Sequence, residues 1–364
     1  MSTPQAFVQD PRFDRVFVLP ADLPNGRANP FTVQYSDYGY RNEEAPENEN
    51  VFLFFGSLLG SRLVHVAKDE LAKQHRIRII NPDRPGVGGT DIVKPECLMS
   101  LWRETILALL RHLDIKYVSI GCHSGGTISA LDMLVHHPEI LPPENPGYIA
   151  IGSPWILPSH TGSTMMSIVE CFPSSVIGQV DKIARLINNH VGPMVGLSVG
   201  VSYAMVNKLM PSPALESAGN SHTQSSRTFE ERVWPEIIQR IYDSNIKGMS
   251  TDAIMFLQKG CFSQAGWGDW GDYDKLVPRL SQILRSTGRN LRIDVFHAES
   301  DSLVGNAGSR GSLWFDQCWQ AGNEDVINYS SAKVIGADHD GVWSLKWSAV
   351  HTVFERINGK VEDR

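Results

Sequence analysis

Short apolar runs of strand length recur along the chain, and most of them contain few polar residues. Runs of this kind are typical of strands that are buried on both faces of a parallel sheet. The predicted strands cover residues 15–20, 31–39, 50–56, 76–83, 116–121, 147–153, 291–300 and 331–337, and the first two are expected to form an antiparallel pair. Between the runs lie apolar residues at helical spacing: Trp102, Ile106, Leu109 and Leu113, then Ile128, Leu131 and Val135. The pattern predicts an α/β fold with a mostly parallel sheet flanked by helices.

One long interval interrupts this alternation. Residues 155–287 contain no convincing strand, have apolar positions at helical spacing in places, and hold seven of the ten methionines. The polar stretch 216–228 within the interval is predicted to be a loop. An interval of this length is too long for a simple connection in a compact domain. We therefore predict a helical lid domain over residues 155–287, inserted between two strands of a core domain that comprises residues 1–154 and 288–364.

Composition narrows the classes of partner. The 364 residues carry a net charge of −7 and no basic block, which argues against nucleic acid. The apolar stretch of residues 191–206 has sixteen residues and no charge, which is shorter than the ~20 apolar residues of a membrane span, so we do not expect a membrane protein. The five cysteines are odd in number and lack C-x-x-C spacing, and the N-terminus has no apolar signal segment. We expect a cytoplasmic protein that binds a small molecule, either as a monomer or as a homodimer.

The stretch VSIGCHSGGTISAL, residues 118–131, carries the strongest chemical signal. A predicted strand enters a turn of small residues around Ser124, and a predicted helix leaves it directly. Such a turn is the nucleophile elbow, usually written G-x-S-x-G, which presents a serine hydroxyl at the carboxyl edge of the sheet and at a helix N-terminus. Cys122 stands where glycine is usual, and Gly126 is the second small residue. A tight strand–helix turn with an incidental serine is the alternative.

A serine nucleophile requires a histidine base and a carboxylate that orients the base. On a sheet of this type the chain order is serine, acid, histidine. Asp301 directly follows a late predicted strand, with Glu299 as its rival two residues earlier, and His339 lies in the turn after the last predicted strand. We therefore predict that Ser124, Asp301 and His339 form a catalytic triad.

Two backbone segments are candidates for an oxyanion hole. On this type of sheet, one N–H group comes from the loop after the strand that covers residues 50–56, and the other comes from the residue after the nucleophile. Ser57 and Leu58 are therefore candidates for the first donor and Gly125 for the second. A plain strand-to-helix turn that contains glycine is the alternative.

The remaining motifs predict neither a cofactor nor a metal. The glycines of NPDRPGVGGTD, residues 81–91, follow a predicted strand, but Asp91 replaces the third glycine of a dinucleotide fingerprint. The stretch also lacks the G-K-[ST] of a phosphate loop, and no H-E-x-x-H or paired Cys/His spacing is present. Among the other histidines, His123 is expected to be structural, and His297, within a strand, is a weaker candidate for the base than His339.

The order and spacing of these motifs resemble the α/β-hydrolase superfamily, in its cap-bearing serine branch, over about residues 15–355. FGSLLGSR looks like the family's H-G-x-P-G-S-R loop, with Phe55 in place of the histidine, and NPDRPGVGGTD looks like its D-x-P-G-x-G-x-S turn. CHSGG, AESDSLV and GADHDG are similar to its elbow, acid turn and histidine turn. Within the superfamily, the sequence as a whole is similar to fungal members, including tailoring enzymes of natural-product pathways. The resemblance implies a serine hydrolase in which His339 takes the proton of Ser124 and Asp301 holds the imidazolium.

A serine in this place implies cleavage of an ester, thioester, lactone, amide or related acyl bond through an acyl-enzyme. Some members of the fold instead act as receptors, or as lyases or cyclases without net hydrolysis, and the acidic stretch GDWGDYD leaves an aminopeptidase-like activity open. The lid is expected to cover the serine and to line a largely apolar pocket, for which the candidates are Met165, Met205, Trp267 and Trp270. Alternatively, these side chains form the core of the lid itself.

Overall fold

A single eight-stranded sheet organises the molecule. The computed structural model describes residues 3–25, 27–186, 188, 221–258, 272–305, 309–320 and 322–359. In chain order the strands are β1 Arg15–Leu19, β2 Phe31–Gly39, β3 Asn50–Phe55, β4 Ile77–Pro82, β5 Ser119–Ser124, β6 Gly147–Pro154, β7 Leu291–Ser300 and β8 Ile327–Asp338. Their spatial order is β1-β2-β4-β3-β5-β6-β7-β8, and β2 pairs antiparallel with both neighbours while the other pairs are parallel. The predicted mostly parallel sheet with an antiparallel first pair is confirmed.

Helices occupy most of the described chain between the strands. The α-helices are α1 Pro4–Val8, α2 Asp69–Gln74, α3 Leu98–His112, α4 Gly126–His136, α5 Thr164–Glu170, α6 Ser174–Ile177, α7 Val180–Leu186, α8 Ser221–Asp243, α9 Gly248–Phe256, α10 Tyr273–Thr287, α11 Ser312–Gln320 and α12 Ala349–Ile357. Short 3₁₀ helices cover Pro11–Phe13, Leu23–Asn25, Pro46–Asn48, Val66–Lys68, Pro95–Cys97, Pro138–Ile140 and Pro158–His160. None of the described helices combines the length and the apolar composition that a bilayer span requires.

Both faces of the sheet are covered, which explains why its strands appear in the sequence as nearly continuous apolar runs. Strands β4 and β6 are buried along their whole length. Helices α3, α4, α10 and α11 pack on one face, and α1, α2, α8 and α12 contribute to the apolar cluster on the other. Because parallel strands end at the same edge, the loops after β3, β5, β7 and β8 come together at the carboxyl edge of the sheet.

Between β6 and β7 the described residues form helices joined by short loops, and two of these helices bear on the sequence prediction. Helix α8 begins at Ser221, so the second part of the predicted loop 216–228 is helical. Its residues 225–228 are exposed or half-exposed, and a helix face that meets solvent is as polar as a loop. Helix α10, which the prediction assigns to the lid, packs in the same apolar cluster as the sheet and α4. An amphipathic helix has the same spacing of apolar residues whether it packs in a lid or on the sheet, so the sequence pattern could not distinguish the two positions.

A third apolar cluster joins the inserted helices to the carboxyl edge of the sheet. It contains residues of α5, α6 and α9, the first residues of α3, one residue of α4, and the chain that follows β6. Its buried members are Leu98, Met99, Ile128, Trp155, Leu157, Met166, Ile177, Ala253, Met255, Phe256 and Leu257. The inserted helices therefore pack directly above the edge at which the predicted triad residues lie.

Candidate active site

The serine corner has the backbone of a nucleophile elbow. Strand β5 ends at Ser124, whose φ of +51° lies in the left-handed region that side chains rarely adopt. Gly126 is needed for close approach, because a Cβ there would lie 2.1 Å from the carbonyl oxygen of Phe55. Cys122, where glycine is usual, is fully buried in the core, and burial raises the pKa of its thiol to about 12. The small residues on both sides therefore fit the tight turn, and Cys122 serves packing.

Ser124, His339 and Asp301 form a continuous chain of hydrogen bonds. His339 Nε2 lies 2.9 Å from Ser124 Oγ, and His339 Nδ1 lies 2.9 and 2.8 Å from the two carboxylate oxygens of Asp301. All three side chains are buried, each less than a tenth exposed. The ends of β5, β7 and β8 thus bring together three residues that are far apart in the sequence, in the order that the motifs predict.

The surroundings keep Asp301 ionised and favour a proton on His339. Burial would raise the pKa of Asp301, but His339 and the N–H groups of Val304 and Leu303 outweigh burial and lower it below its ordinary value. Burial would likewise lower the pKa of His339, but the Asp301 carboxylate outweighs burial and raises it. The carboxylate therefore stabilises the imidazolium that forms when His339 accepts a proton.

The rival residues have other partners. Glu299 is exposed, and its Oε2 accepts a hydrogen bond of 2.8 Å from the amide of Gly336 in β8. His297 is buried in β7, with Nε2 2.7 Å from the Asp316 carboxylate of α11. The structure therefore places Asp301, and not Glu299, beside His339. It places His339, and not His297, beside Ser124.

His123 supports the histidine turn from below. Its Nε2–H donates a hydrogen bond of 2.8 Å to the backbone carbonyl of His339, and burial, followed by the neighbouring His339, lowers the pKa of His123 to about 4. The ligand atoms of His123, His339 and Asp340 lie within 4.8 Å of one another, which is the spacing of a metal site. Both nitrogens of His339 already contact Asp301 and Ser124, so a metal bound there would replace the hydrogen-bond chain.

The predicted oxyanion donors lie beside the elbow. Strand β3 pairs with β5 through Phe55 and Cys122, so the loop that contains Ser57 and Leu58 begins next to Ser124. Gly125 directly precedes α4, at the positive end of that helix. Among the described residues, no hydrogen bond uses the amide N–H of Ser57, Leu58 or Gly125. These amides are therefore unengaged donors at the edge where an oxyanion would form.

Two aromatic side chains cover the elbow. The ring of Phe256, at the end of α9, touches Gly125 so closely that a Cβ on Gly125 would lie 2.2 Å from a ring carbon. Trp155 packs on this ring with centroids 5.4 Å apart, and its amide donates to the carbonyl of Ser124 at 3.2 Å. The inserted segment thus presents apolar aromatic surface at the serine.

The described methionines of the inserted segment are placed unequally, and one of them, Met165, is a pocket candidate. Met165 lies at the surface of α5 with 45% exposure, whereas Met166 and Met255 are buried in the third cluster. The pattern could not separate two adjacent methionines, because neighbouring helix positions face different directions. Outside the described residues lie the other pocket candidates, Met205, Trp267 and Trp270.

Sequence reasoning missed the side chains that support the loop after β3. Arg84 donates from Nη2 to the carbonyl of Leu58 at 2.6 Å and faces Asp252 of α9 at 3.1 Å. Arg62 is bound to Asp83, with Nη1 2.5 Å from Oδ2. Each pair includes one residue of NPDRPGVGGTD, Asp83 or Arg84. The adjacent opposite charges of this stretch were the available signal, because buried charges after a strand require partners.

Comparison with known proteins extends the description of the fold. No protein-family model and no curated protein matches the chain. Solved structures similar to it include a carboxylesterase of the ammonia-oxidising thaumarchaeon Nitrososphaera gargenis, at 13% identity and a TM-score of 0.51, covering 94% of this chain and 99% of that one. An α/β hydrolase from a Medee basin deep-sea metagenome has 13% identity and a TM-score of 0.51, covering 92% and 96%. The enol-lactonase of Burkholderia xenovorans LB400 has 12% identity and a TM-score of 0.50, covering 91% and 96%. The chain therefore has the α/β-hydrolase fold.

Proposed function

We propose that the protein is a serine hydrolase that cleaves an ester, thioester, lactone or related acyl bond of a largely apolar small molecule. The observation that carries the proposal is the buried chain Ser124–His339–Asp301, with 2.9 Å between Ser124 Oγ and His339 Nε2. A hydroxyl becomes a nucleophile when a neutral imidazole can accept its proton as the bond to the substrate forms. The esterase and lactonase activities named for similar structures agree with this assignment.

In the proposed reaction, Ser124 Oγ attacks the substrate carbonyl while its proton passes to His339 Nε2. Asp301 stabilises the imidazolium, and the N–H groups of Gly125 and of Ser57 or Leu58 bind the oxyanion of the tetrahedral intermediate. The intermediate collapses when His339 returns the proton to the leaving oxygen, sulfur or nitrogen, which leaves an ester on Ser124. Water, deprotonated by His339, then releases the acid and restores the serine.

The apolar character of the substrate is inferred from the side chains around the elbow. Phe256 and Trp155 lie against Gly125 and the Ser124 backbone, and the cluster to which they belong is built from aliphatic, aromatic and methionine side chains. We also propose that the inserted helices act as the cap, which places the protein in the cap-bearing serine branch. Similarity to fungal tailoring enzymes stays a prediction.

The acidic segment near α10 does not favour the peptidase alternative. Asp272 lies 2.5 Å from the ammonium of Lys275, and Asp274 accepts a contact from the thiol of Cys318 at 3.1 Å. Both carboxylates thus have partners within their own part of the chain. We therefore argue for the acyl hydrolase alone.

The test is hydrolysis of p-nitrophenyl acylates of two, four and eight carbons by the wild type and by Ser124→Ala. We expect turnover by the wild type and a loss on the order of 10⁴-fold or more in kcat for the variant, with its melting temperature preserved. Turnover by the alanine variant near the wild-type rate would exclude the mechanism. A wild type that binds the p-nitrophenyl acylate without releasing p-nitrophenol and acid would instead favour a receptor, a lyase or a cyclase.

A further inference from the structure

A buried ion pair connects the inserted helices to the carboxyl edge of the sheet. Arg84, in the loop after β4, has its Nη1 3.1 Å from Oδ2 of Asp252 in α9, and the two side chains are 7% and 3% exposed. The two atoms are not aligned as a hydrogen bond, so the contact is electrostatic. A buried charge that loses its partner is costly. Each of these side chains therefore constrains the position of the other.

The same arginine holds the loop that contains the proposed oxyanion donors. Arg84 Nη2 donates to the carbonyl of Leu58 at 2.6 Å and approaches the carbonyl of Gly60 at 3.4 Å. The Ser57–Gly60 turn is closed by a hydrogen bond of 3.0 Å from the Gly60 amide to the Ser57 carbonyl. A carbonyl and the N–H of the following residue share one rigid peptide plane. The bond from Gly60 to the Ser57 carbonyl therefore fixes the Leu58 N–H, and the bond from Arg84 to the Leu58 carbonyl fixes the adjoining peptide plane of the same turn.

Backbone contacts fix α9 against the loop that carries Arg84. The amide of Gly248, the first residue of α9, donates to the carbonyl of Gly86 at 2.8 Å, and the amide of Gly88 donates to Asn245 at 2.8 Å. Gly86 has a φ of +75°, and a Cβ there would lie 2.8 Å from the nitrogen of Gly248. This close approach keeps α9 in one position along the loop.

The other end of α9 meets the second half of the proposed oxyanion hole. Phe256, the last residue of the helix, is in contact with Gly125, and Asp252 lies one turn earlier. One helix of the inserted segment therefore touches both backbone segments that would bind the oxyanion. The contact to one segment runs through Arg84, and the contact to the other runs through an aromatic ring.

We propose that Arg84 and Asp252 form a clamp by which α9 holds the Ser57–Gly60 turn in position, so that Arg84 is a positioning residue for oxyanion binding. The inference rests on the proposed function, and it adds a coupling between the inserted segment and the chemical step. The clamp acts on the transition state and leaves ground-state binding of an apolar substrate nearly unchanged.

The experiment compares Arg84→Lys and Asp252→Asn with the wild type. Lysine keeps the charge, but a single ammonium cannot span Leu58 and Asp252 as the guanidinium fork does. We expect kcat for p-nitrophenyl butyrate to fall about 10²-fold in the lysine variant and about tenfold in the asparagine variant, with KM changed less than about threefold. The affinity of an alkyl trifluoromethyl ketone, which forms a tetrahedral oxyanion on serine, should fall in parallel with kcat.

The matched controls are Arg103→Lys and Asp132→Asn, which disturb another part-buried arginine–aspartate pair, 2.8 Å apart between α3 and α4. These controls should change thermal stability while kcat stays within about threefold of the wild type. Normal kcat in both clamp variants, or a loss of kcat without a loss of ketone affinity, would overturn the clamp and leave the proposed function intact. A folded wild type that neither hydrolyses the ester nor binds the ketone would overturn both. If Arg84→Lys fails to fold, Asp252→Asn alone decides by the same two readouts.

Discussion

On the histidine side of Ser124, the interacting side chains come from loops that directly follow β7 and β8. Asp301 receives amide hydrogen bonds from Leu303 and Val304 in its own turn, and His339 follows β8 at once. On the side of the proposed oxyanion donors, the Ser57–Gly60 turn is bonded to Arg84 from the loop after β4, and Arg84 in turn is paired with Asp252 of α9. The acid and the base stand directly at strand ends, whereas the Ser57–Gly60 turn is tied to α9 through the side chain of Arg84.

The two sides of Ser124 therefore depend on different parts of the molecule. The geometry of the base is set chiefly by the sheet, because pairing of β7 with β8 sets the distance between the acid and histidine turns. The start of the inserted segment adds hydrogen bonds to the acid turn, from Ser163 Oγ to the Ser302 carbonyl and from the Gly162 amide to the Val304 carbonyl. In the proposed clamp, the geometry of the candidate oxyanion donors also requires that α9 lies in its place. Changes in α9 should therefore affect stabilisation of the proposed oxyanion more than they affect the pKa of His339.

The largest effect is expected on the histidine side. Asp301→Asn should lower kcat about 10⁴-fold, because an amide cannot stabilise the imidazolium and favours the wrong tautomer. Glu299→Gln should lower kcat by about threefold or less, since its carboxylate is bound to Gly336 and is exposed. Steady-state kinetics of the two variants checks the ranking, and the reverse order would move the acid to Glu299.

A smaller effect is expected where the aromatic ring meets the oxyanion side. Gly125→Ala should lower kcat about 10²-fold, because the new Cβ would lie 2.2 Å from the Phe256 ring and one of the two groups must move. Phe256→Ala should cost about 3 kcal/mol or more of stability, as expected for a buried phenylalanine. In the double variant, activity per folded molecule should exceed that of Gly125→Ala. Strictly additive losses would show that the ring does not set the position of Gly125.

The smallest effect is expected in the pH dependence of kcat/KM, whose midpoint reports the histidine side and whose plateau reports the proposed oxyanion side. His339 must be neutral to accept the proton, so activity should rise with pH through the pKa of His339, which Asp301 raises above 6.5. Burial, opposed by Arg84, raises the pKa of Asp252 to about 6, so Asp252 titrates below this midpoint. In Asp252→Asn the plateau of kcat/KM should fall while the midpoint stays within about 0.3 pH units. A shifted midpoint with an unchanged plateau would contradict the separation of the two sides.

The same contrast explains what could be predicted from the sequence. The strands and the strand-end residues Ser124, Asp301 and His339 were predictable, because burial, turn residues and chain order are local signals. The pairing of Arg84 with Asp252 was not, because charge complementarity between distant segments leaves no periodic pattern. The helical start of α8 was missed for a different reason, since its exposed polar residues look like a loop.

The most direct test of the central claim is the site at which a labelled fluorophosphonate reacts with the folded protein. Peptide mass spectrometry should find one phosphonyl group per chain, attached to Ser124 in the peptide that contains CHSGG. The label should be lost in Ser124→Ala, and its rate of attachment should fall steeply in His339→Ala. No adduct on the folded wild type, or an adduct on another serine that persists in Ser124→Ala, would contradict the account.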